Sequence, residues 1–331
     1  MKSLQRGILF ISFWVSSCQQ SPTFTTLEGE AQGTTFKIVY ESTEDFSHSI
    51  DSLFRVIDHS MSLWDSTSIL RAVNTNQPSI KVDYHFEKVF EKSQSISQIT
   101  NGAFDITVGP LVKAWGFSYK KGMPFPSQTT LDSLRRLIGY QSVQLKNAIV
   151  QKQNPNTEID FNAIAQGYTV DVMAGFLEAK GVQNYLVEIG GEVRALGHNQ
   201  HGKIWQVGID KPISNSDNQR QLQAVVALNG QALATSGSYR KFVVREGQKF
   251  SHAIDPKTGI PITHNLLSVS VIADDCMTAD AFATAFLVMG LEAAKKIAPN
   301  QNLEFYGIYT TTDGTFQTYH TSGFFYTPSS H

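Results

Sequence analysis

The 331-residue chain contains four short segments that combine residues from the set of glycine and acidic, hydroxyl or imidazole side chains. Such residues bind phosphate groups and metal ions and transfer protons. The first segment is residues 101–110, whose glycines allow a ligand to approach the backbone closely. The Asp105 carboxylate is suited to accept hydrogen bonds from a base or a ribose. The alternative is a turn in which Asp105 caps a helix.

The second segment, residues 159–168, is predicted to join the end of a strand to the start of a helix. Free N–H groups and the positive end of the helix dipole at such a junction favour phosphate. The segment contains neither the Gly-Lys-Ser/Thr of a P-loop nor a GxGxxG pattern. Capping of the helix by Asp160 or Asn162 is the alternative interpretation.

The third segment, residues 251–259, places His252 two residues before Ile254 on a predicted strand. Residues 255–259 follow with the composition of a turn. A histidine at the end of a strand is a candidate general base, although a lone histidine is more often a structural residue.

The fourth segment, residues 278–284, is part of a predicted helix. Asp280 and Thr284 are four residues apart, so their side chains share one face of that helix. A carboxylate beside a hydroxyl offers hard oxygen ligands, which suit Mg²⁺ better than zinc. The alternative is a helix start in which Thr278 is the N-cap and Asp280 interacts with the helix dipole.

Apolar periodicity predicts the elements that must position these segments. The predicted helices are residues 47–61, 85–99, 130–138, 166–180 and 278–289. The predicted strands are residues 34–40, 142–150, 158–161, 185–189, 204–209, 222–228, 241–244, 266–273, 303–310 and 316–319. Strands occur in clusters with helices between them and without βαβ alternation. This order predicts an α+β fold, a single intertwined domain of mixed or antiparallel sheets with packed helices.

The N-terminus is typical of an export signal. Lys2 and Arg6 precede an apolar run at residues 7–15, which is too short to span a bilayer. Small residues then lead to Cys18, as in a lipobox. We therefore predict a lipoprotein signal peptide at residues 1–17, a tether lipidated at Cys18 over residues 18–27, and one domain over residues 28–331. An ordinary cleaved signal or a buried apolar strand is the alternative.

Charge and cysteine content argue against a nucleic-acid partner and against a cysteine-based zinc site. The chain has 29 acidic and 27 basic residues and no basic stripe, so nothing in its charge favours a nucleic-acid partner. Beyond Cys18 the only cysteine is Cys276. The mature chain is therefore expected to have no intramolecular disulfide and no cysteine-based zinc site.

The four segments resemble, in this order, the FAD:protein FMN transferase family, which is also called ApbE. Further runs share the resemblance: Gln32 to Phe36, Met61 to Trp64 with Ser68 and Asn74, Trp115 to Phe117, Gly190 to Glu192, and Thr235 to Gly237. Together they cover nearly the whole chain after the tether. The resemblance implies transfer of FMN from FAD to a Ser or Thr hydroxyl of an exported or membrane electron-transfer protein, with release of AMP.

The resemblance also implies roles for individual residues. The implied FAD contacts are Gln32, Trp64, Ala103, Phe104, Asp105, Asp160, Gln166 and Ile254. The implied Mg²⁺ ligands are the side chains of Asp280 and Thr284 and backbone oxygens of Ala163 and Ala283. His252 is the implied base.

Gln166 departs from the family, in which many members carry lysine at this position. Glutamine keeps the hydrogen bonding and loses the positive charge beside the pyrophosphate, so weaker FAD binding is expected. Three other functions stay open from the sequence: an FAD pyrophosphatase releasing FMN and AMP, a non-catalytic flavin-binding lipoprotein, and a flavin oxidoreductase. The last has no recognisable nicotinamide site.

Overall fold

An eight-stranded antiparallel sheet lies at the centre of the protein. The structure is a computed structural model that describes residues 23–117, 125–212, 221–239, 242–245 and 248–329. The strands in these residues are β1 (Thr23–Ala31), β2 (Thr34–Ser42), β3 (Val143–Lys146), β4 (Ile149–Lys152), β5 (Tyr185–Ile189), β6 (Glu192–Leu196), β7 (Trp205–Asp210), β8 (Leu222–Leu228), β9 (Gln231–Gly237), β10 (Phe242–Arg245), β11 (Gln248–Ser251), β12 (Ile254–Asp255), β13 (Ile260–Pro261), β14 (Leu266–Ala273), β15 (Glu304–Thr310), β16 (Phe316–His320) and β17 (Thr327–Pro328).

Helices connect and cover these strands. They are α1 (Ser47–Met61), α2 (Ile69–Asn74), α3 (Tyr84–Ile99), α4 (Gly109–Ala114), α5 (Gln128–Arg135), α6 (Ala165–Ala179), α7 (Cys276–Met289) and α8 (Leu291–Ile297). Short 3₁₀ turns lie at Tyr140–Ser142 and Ala298–Gln301. No helix in the described ranges combines the length and the apolar character needed to cross a bilayer.

The central sheet has the strand order β1-β2-β5-β6-β9-β14-β15-β16, and each neighbouring pair is antiparallel. Because side chains alternate between the faces of a strand, β5 separates two cores. Tyr185, Val187 and Ile189 face a core shared with α1 and α6, and Leu186 packs on the other side. The other side is covered by the three-stranded sheet β17-β8-β7.

The helix α7 lies on the helical side of the sheet and is buried almost all round. Its sequence is apolar apart from Thr278, Asp280 and Thr284, and it contacts α6, β9 and β14. A helix that is hydrophobic on every side must be enclosed by other elements. Any polar side chain on α7 is therefore placed in the interior.

The α+β prediction is confirmed, and so are several element bounds. Helix 47–61 and strands 185–189, 222–228 and 266–273 match the structure end to end. The strand predicted over residues 158–161 is wrong. There the chain has no ladder partner, and Asn74 binds both the N–H and the carbonyl of Ile159.

The strand β1 begins at Thr23, inside the segment predicted as the tether, residues 18–27. Its register with β2 runs from Thr23 opposite Ser42 to Ala31 opposite Thr34. Phe24 makes an edge contact with Trp205 of β7. Residues 23–27 are therefore part of the sheet rather than of a tether. The signal peptide predicted at residues 1–17 and the lipidation predicted at Cys18 lie outside the described residues.

Candidate functional site

Three of the four sequence segments, the first, the second and the fourth, meet near the start of α6. The backbone N–H of Asp160 donates to the Ile106 carbonyl at 2.7 Å, which joins the second segment to the first. A Cβ placed on Gly109 would lie 3.3 Å from the Cβ of Asp160, so α4 packs closely against this junction. The free backbone at residue 109 is what permits that approach.

Asp160 does not cap α6. Its carboxylate accepts the Asn162 N–H at 2.9 Å, and the N-cap residue Ile164 makes no side-chain cap. The predicted capping of this helix by Asp160 or Asn162 is therefore not observed. Burial raises the pKa of Asp160, partly offset by that hydrogen bond and by the charge of Lys113.

Asp280 of α7 supplies the missing contact at the start of α6. Its Oδ2 atom accepts the backbone N–H of Gly167 at 3.1 Å, and the residue is only 6% exposed. Burial, with a smaller contribution from the nearby Asp171 charge, raises the pKa of Asp280 to about 7, although the hydrogen bond from Gly167 opposes this shift. Among the described residues no basic group lowers this pKa. Within that part of the chain the buried carboxyl group therefore has no cationic partner.

Ala163 stands at the same junction. A helix one residue longer would direct the Gly167 N–H to the Ala163 carbonyl, but Asp280 accepts that N–H instead. Among the described residues no hydrogen bond ends on the Ala163 carbonyl. A carboxylate oxygen and an unused carbonyl oxygen at one helix start are suitable ligands for a hard cation.

The other two implied ligands lie further along α7. Thr284 follows Asp280 by one turn, and its hydroxyl lies 2.9 Å from that of Ser236 on β9. Ala283 is fully buried. In the described part of the chain no group of three His, Cys, Asp or Glu side chains is arranged for a metal. The implied site is of another kind, with one carboxylate, one hydroxyl and two backbone oxygens.

The helix α7 begins differently from the alternative considered above. Its N-cap is Asp275, which accepts the N–H of Thr278 at 2.7 Å, so Thr278 is not the cap. Asp280 lies in the second turn and interacts with the start of α6 rather than of its own helix.

The side chain of Gln166 is hydrogen-bonded to the turn between β5 and β6. Its amide donates to the Ile189 carbonyl at 2.9 Å. Gly190 has φ +62°, and a Cβ there would lie 1.7 Å from the Gln166 amide nitrogen. Gly190 N–H in turn donates to Thr35 of β2 at 2.9 Å. The Gly190 and Gln32–Phe36 runs are thus brought to the same end of α6.

Gln32 and Trp64 border this end of the molecule from the β1–β2 turn and the end of α1. The Gln32 amide donates to Asp58 of α1 at 3.2 Å. Burial raises the pKa of Asp58. Trp64, a few residues beyond α1, is 66% exposed, which is unusual for so large an apolar side chain. The ring is a flat aromatic surface open to solvent.

Asp105 has a structural function in the protein without ligand. Its carboxylate accepts the N–H and hydroxyl of Thr107 at 2.8 and 2.6 Å and the N–H of Tyr140 at 2.8 Å. It therefore closes a turn rather than capping a helix. Burial raises the pKa of Asp105 despite these bonds. Ala103 and Phe104 beside it are buried in the main core.

His252 and Ile254 approach from the third segment. The His252 ring is half-buried and makes an edge contact with Phe117 at 6.3 Å between centroids. Ile254 is 4% exposed and packs with Leu111 and Trp115. The side chain of Ile254 is thus covered by protein, whereas the imidazole is accessible. Strand β12, which contains Ile254, also contacts α7.

Two residues without an assigned role in the sequence prove to hold this arrangement. Asp171 of α6 accepts the N–H groups of Cys276 and Met277 at the start of α7. Ser236 binds Thr284. The signal for Asp171 was present, since it is a carboxylate in the middle of a largely apolar helix. Ser236 lies in the run Thr235 to Gly237 that shares the family resemblance, but its contact with Thr284 could not be predicted, because β9 was not among the predicted strands.

Comparison with known proteins gives a consistent result. The sequence profile of the ApbE family matches residues 32–306. The chain is 36% identical to the FAD:protein FMN transferase of Haemophilus influenzae and 34% identical to that of Vibrio cholerae. The alignments cover 95% and 94% of this chain and the same shares of those proteins.

Solved structures agree. The flavin transferase ApbE from Vibrio cholerae superposes with a TM-score of 0.82 at 34% identity, covering 92% of this chain and 98% of that one. The ApbE protein from Thermotoga maritima superposes with a TM-score of 0.77 at 28% identity, covering 89% and 96%.

Proposed function

The chain belongs to the ApbE family, and from this premise we propose that it transfers the FMN half of FAD to a protein. The acceptor is a Ser or Thr hydroxyl of another protein, and AMP is the leaving group. The observation that carries the proposal is the junction of α6 and α7. There the buried Asp280 carboxylate and the unused Ala163 carbonyl lie at one helix start.

Different residues would bind different parts of FAD. The exposed Trp64 ring offers a stacking surface, and the N-terminus of α6 favours the negative pyrophosphate. Gln166 holds the Gly190 turn, and its amide occupies the space that a side chain at residue 190 would need. Asp160 and Asp105 retain lone pairs for hydroxyl or amino groups of the substrate.

The metal ligands proposed are Asp280, Thr284 and backbone oxygens of Ala163 and Ala283. The site fits Mg²⁺ because its donors are all hard oxygens and because the buried Asp280 has no cationic partner among the residues that the structure describes. When bound, Mg²⁺ would neutralise charge on the pyrophosphate and on the departing AMP. Ser236 orients the Thr284 hydroxyl through their 2.9 Å contact.

His252 is proposed as the general base. The acceptor oxygen attacks the phosphorus on the FMN side, and a new O–P bond forms. The bond from that phosphorus to the bridging oxygen breaks, and AMP leaves with the bridging oxygen. The hydroxyl proton moves to the imidazole. General base catalysis of this kind typically accelerates a reaction by about 10²–10⁴-fold. No electron is transferred, so the flavin keeps its oxidation state.

We further propose that the chain acts in the cell envelope, on the periplasmic side of a membrane, anchored by lipid on Cys18. The support is the sequence of residues 1–18, with its charged start, short apolar run and small residues before cysteine. Several acyl chains on one cysteine give a stable anchor where one does not. The acceptor is an exported or membrane protein with a short motif that contains Ser or Thr.

One experiment separates the candidate functions. The full-length protein, purified in detergent, is incubated with FAD, with or without Mg²⁺, and with or without a candidate acceptor. The acceptor is weighed by mass spectrometry, and AMP and FMN are quantified. A Mg²⁺-dependent gain of one FMN on the acceptor, with equivalent AMP, is the expected result.

The matched variants are Asp280→Ala and Asp51→Ala, the latter on the exposed side of α1. We expect Asp280→Ala to lose transfer and Asp51→Ala to keep it, with both proteins folded. FMN and AMP released at equal rates with or without acceptor would identify a pyrophosphatase. FAD that stays intact under every condition would leave a flavin-binding lipoprotein and contradict the proposal.

A further inference from the structure

Each of the two helices that form the site has an aspartate that accepts a backbone hydrogen bond from the start of the other helix. Asp171 lies four residues after Gly167 on α6, and Asp280 lies four residues after Cys276 on α7. Asp280 accepts the Gly167 N–H, and Asp171 accepts the N–H of Cys276 at 2.9 Å. The helices are therefore antiparallel, and each carboxylate lies in the second turn of its own helix and binds the start of the other helix.

The helices α6 and α7 pack too closely at these two contacts to shift along each other. A Cβ on Gly167 would lie 2.4 Å from the Cys276 carbonyl oxygen and 2.8 Å from the Asp280 Cβ. The backbones are thus in direct contact where the carboxylates cross. A shift of α7 along α6 would separate Asp280 from its N–H partner and move it away from the junction.

Asp171 is itself fixed by the sheet. Arg194 of β6 points to the helical side and donates to Asp171 Oδ1 at 3.0 Å. The same Asp171 carboxylate binds Met277 N–H through Oδ2 at 2.8 Å. One carboxylate thus joins a strand, the helix that carries it and the first turn of α7. Charge-assisted bonds of this kind are among the stronger hydrogen bonds in proteins.

We propose that Asp171, held by Arg194, is the positioning residue that fixes the metal carboxylate Asp280. It acts through α7, because it ties the first turn of that helix to α6 and to the sheet. Residues that orient a metal ligand typically contribute 10–100-fold to metal affinity. The inference rests on the proposed function, since it assigns a partner to the metal site proposed there.

Asp275 provides a matched control. It also binds the first turn of α7, through the Thr278 N–H at 2.7 Å, but it belongs to the same stretch of chain and does not link α7 to α6. Replacing either aspartate by alanine removes a hydrogen-bonded cap from α7. Only Asp171→Ala also removes the link that sets the position of Asp280 relative to α6.

The test measures Mg²⁺ binding to the full-length protein by calorimetry and the Mg²⁺ concentration that gives half-maximal FMN transfer. For Asp171→Ala we expect affinity to fall and half-saturation to rise by about 10-fold or more, with kcat restored at saturating Mg²⁺. Asp275→Ala is expected to unfold at a lower temperature with unchanged half-saturation. Asp171→Asn, which keeps an acceptor oxygen, is expected to fall between Asp171→Ala and the wild type.

Equal Mg²⁺ affinities for Asp171→Ala and Asp275→Ala would overturn the positioning role. If Asp171→Ala fails to fold, the same comparison is made with Asp171→Asn, whose wild-type Mg²⁺ affinity would overturn it. A wild-type protein that binds no Mg²⁺ would instead refute the metal site of the proposed function.

Discussion

At the scale of single residues, the site depends on buried carboxylates whose environments differ. Asp105 accepts three hydrogen bonds from its own surroundings, and Asp171 is paired with Arg194. Asp280 accepts the Gly167 N–H and has no basic partner in the described part of the chain. The sequence identified Asp280 and Asp105 alike as acidic residues near glycine or threonine. Only their surroundings tell which of them is suited to a cation.

The raised pKa of Asp280, about 7, gives the metal-free protein a specific pH dependence. Because the folded pKa exceeds the unfolded value of 3.8, the folded state binds the extra proton between these values. Stability contributed by this group is present below about pH 4 and is lost as pH rises towards 7. Asp171 is the charged neighbour that strengthens the effect.

We therefore expect Asp280→Asn to unfold at a higher temperature than the metal-free wild type at pH 8. The difference should be a few degrees and should vanish below about pH 3, where the wild-type carboxyl is protonated in both states. Thermal unfolding in a chelator across this pH range measures it. A wild-type stability that rises from pH 4 to 7 relative to Asp280→Asn would contradict the assignment.

Gln166 is a second residue whose change has a predictable effect. Lysine at this position would place a positive charge beside the α6 N-terminus, where the pyrophosphate is proposed to bind. A hydrogen bond to a charged group contributes about 1 kcal/mol more than a neutral one, which is about 5-fold in affinity. We expect Gln166→Lys to lower the Kd for FAD by that factor, measured by fluorescence titration, with kcat little changed. Unchanged or weaker binding would show that the Gly190 turn needs the glutamine.

At the scale of elements, the crossing of α6 and α7 is the most constrained contact. Gly167 is required there because no side chain fits against the Cys276 carbonyl. Sequence periodicity predicted both helices, but it contained no information on which faces meet. Strand β9 was not predicted, and its Ser236 contacts Thr284, which lies 48 residues away in the sequence.

Replacing Gly167 by alanine should force the helices apart. With a Cβ 2.4 Å from a backbone oxygen, we expect a loss of about 1–3 kcal/mol in the free energy of unfolding and weaker Mg²⁺ binding. Gly175 of the same helix is the control, since a Cβ there meets nothing within 4 Å. Gly175→Ala should stabilise the protein by about 0.5–1 kcal/mol. Denaturant unfolding measures the free energy of unfolding of both variants. Equal changes in the two variants would contradict the prediction.

At the scale of the whole molecule, a three-layer arrangement holds the site. Helices lie on one face of the eight-stranded sheet, and the sheet β17-β8-β7 lies on the other. The site elements α6 and α7 belong to the helical layer, and the turn at Gly190 lies at the end of β5. Strand β1, which follows the N-terminal segment, is at the edge of the central sheet.

The proposed anchor makes a prediction about the whole molecule. Cys18→Ala removes the only residue proposed to carry lipid and changes nothing in the described domain. We expect the variant to move from the membrane fraction to the soluble fraction and to keep wild-type kcat towards a soluble acceptor. Fractionation and the FMN-transfer assay measure these two properties. Continued membrane association without lipid on Cys18 would contradict the anchor.

The sequence by itself determined the α+β class, most helices and the order of motifs that identifies the family. Apolar periodicity is local, so helix 47–61 and the strands of residues 185–189 and 266–273 could be predicted from neighbouring residues alone. The family motifs are also local, which is why Asp280 and Thr284 were found together on one helix.

Only the tertiary structure decided how these local pieces meet. The Asp280 contact with Gly167 spans 113 residues, and the Asp171 contact with Cys276 spans 105. Such pairings depend on how two helices pack on one sheet, which no periodicity records. Residues 158–161 looked like a strand because they are apolar and polar in alternation, but their backbone partners are Asn74 and Ile106. The residue types of the site could be predicted from the sequence, whereas their geometry is set by long-range packing.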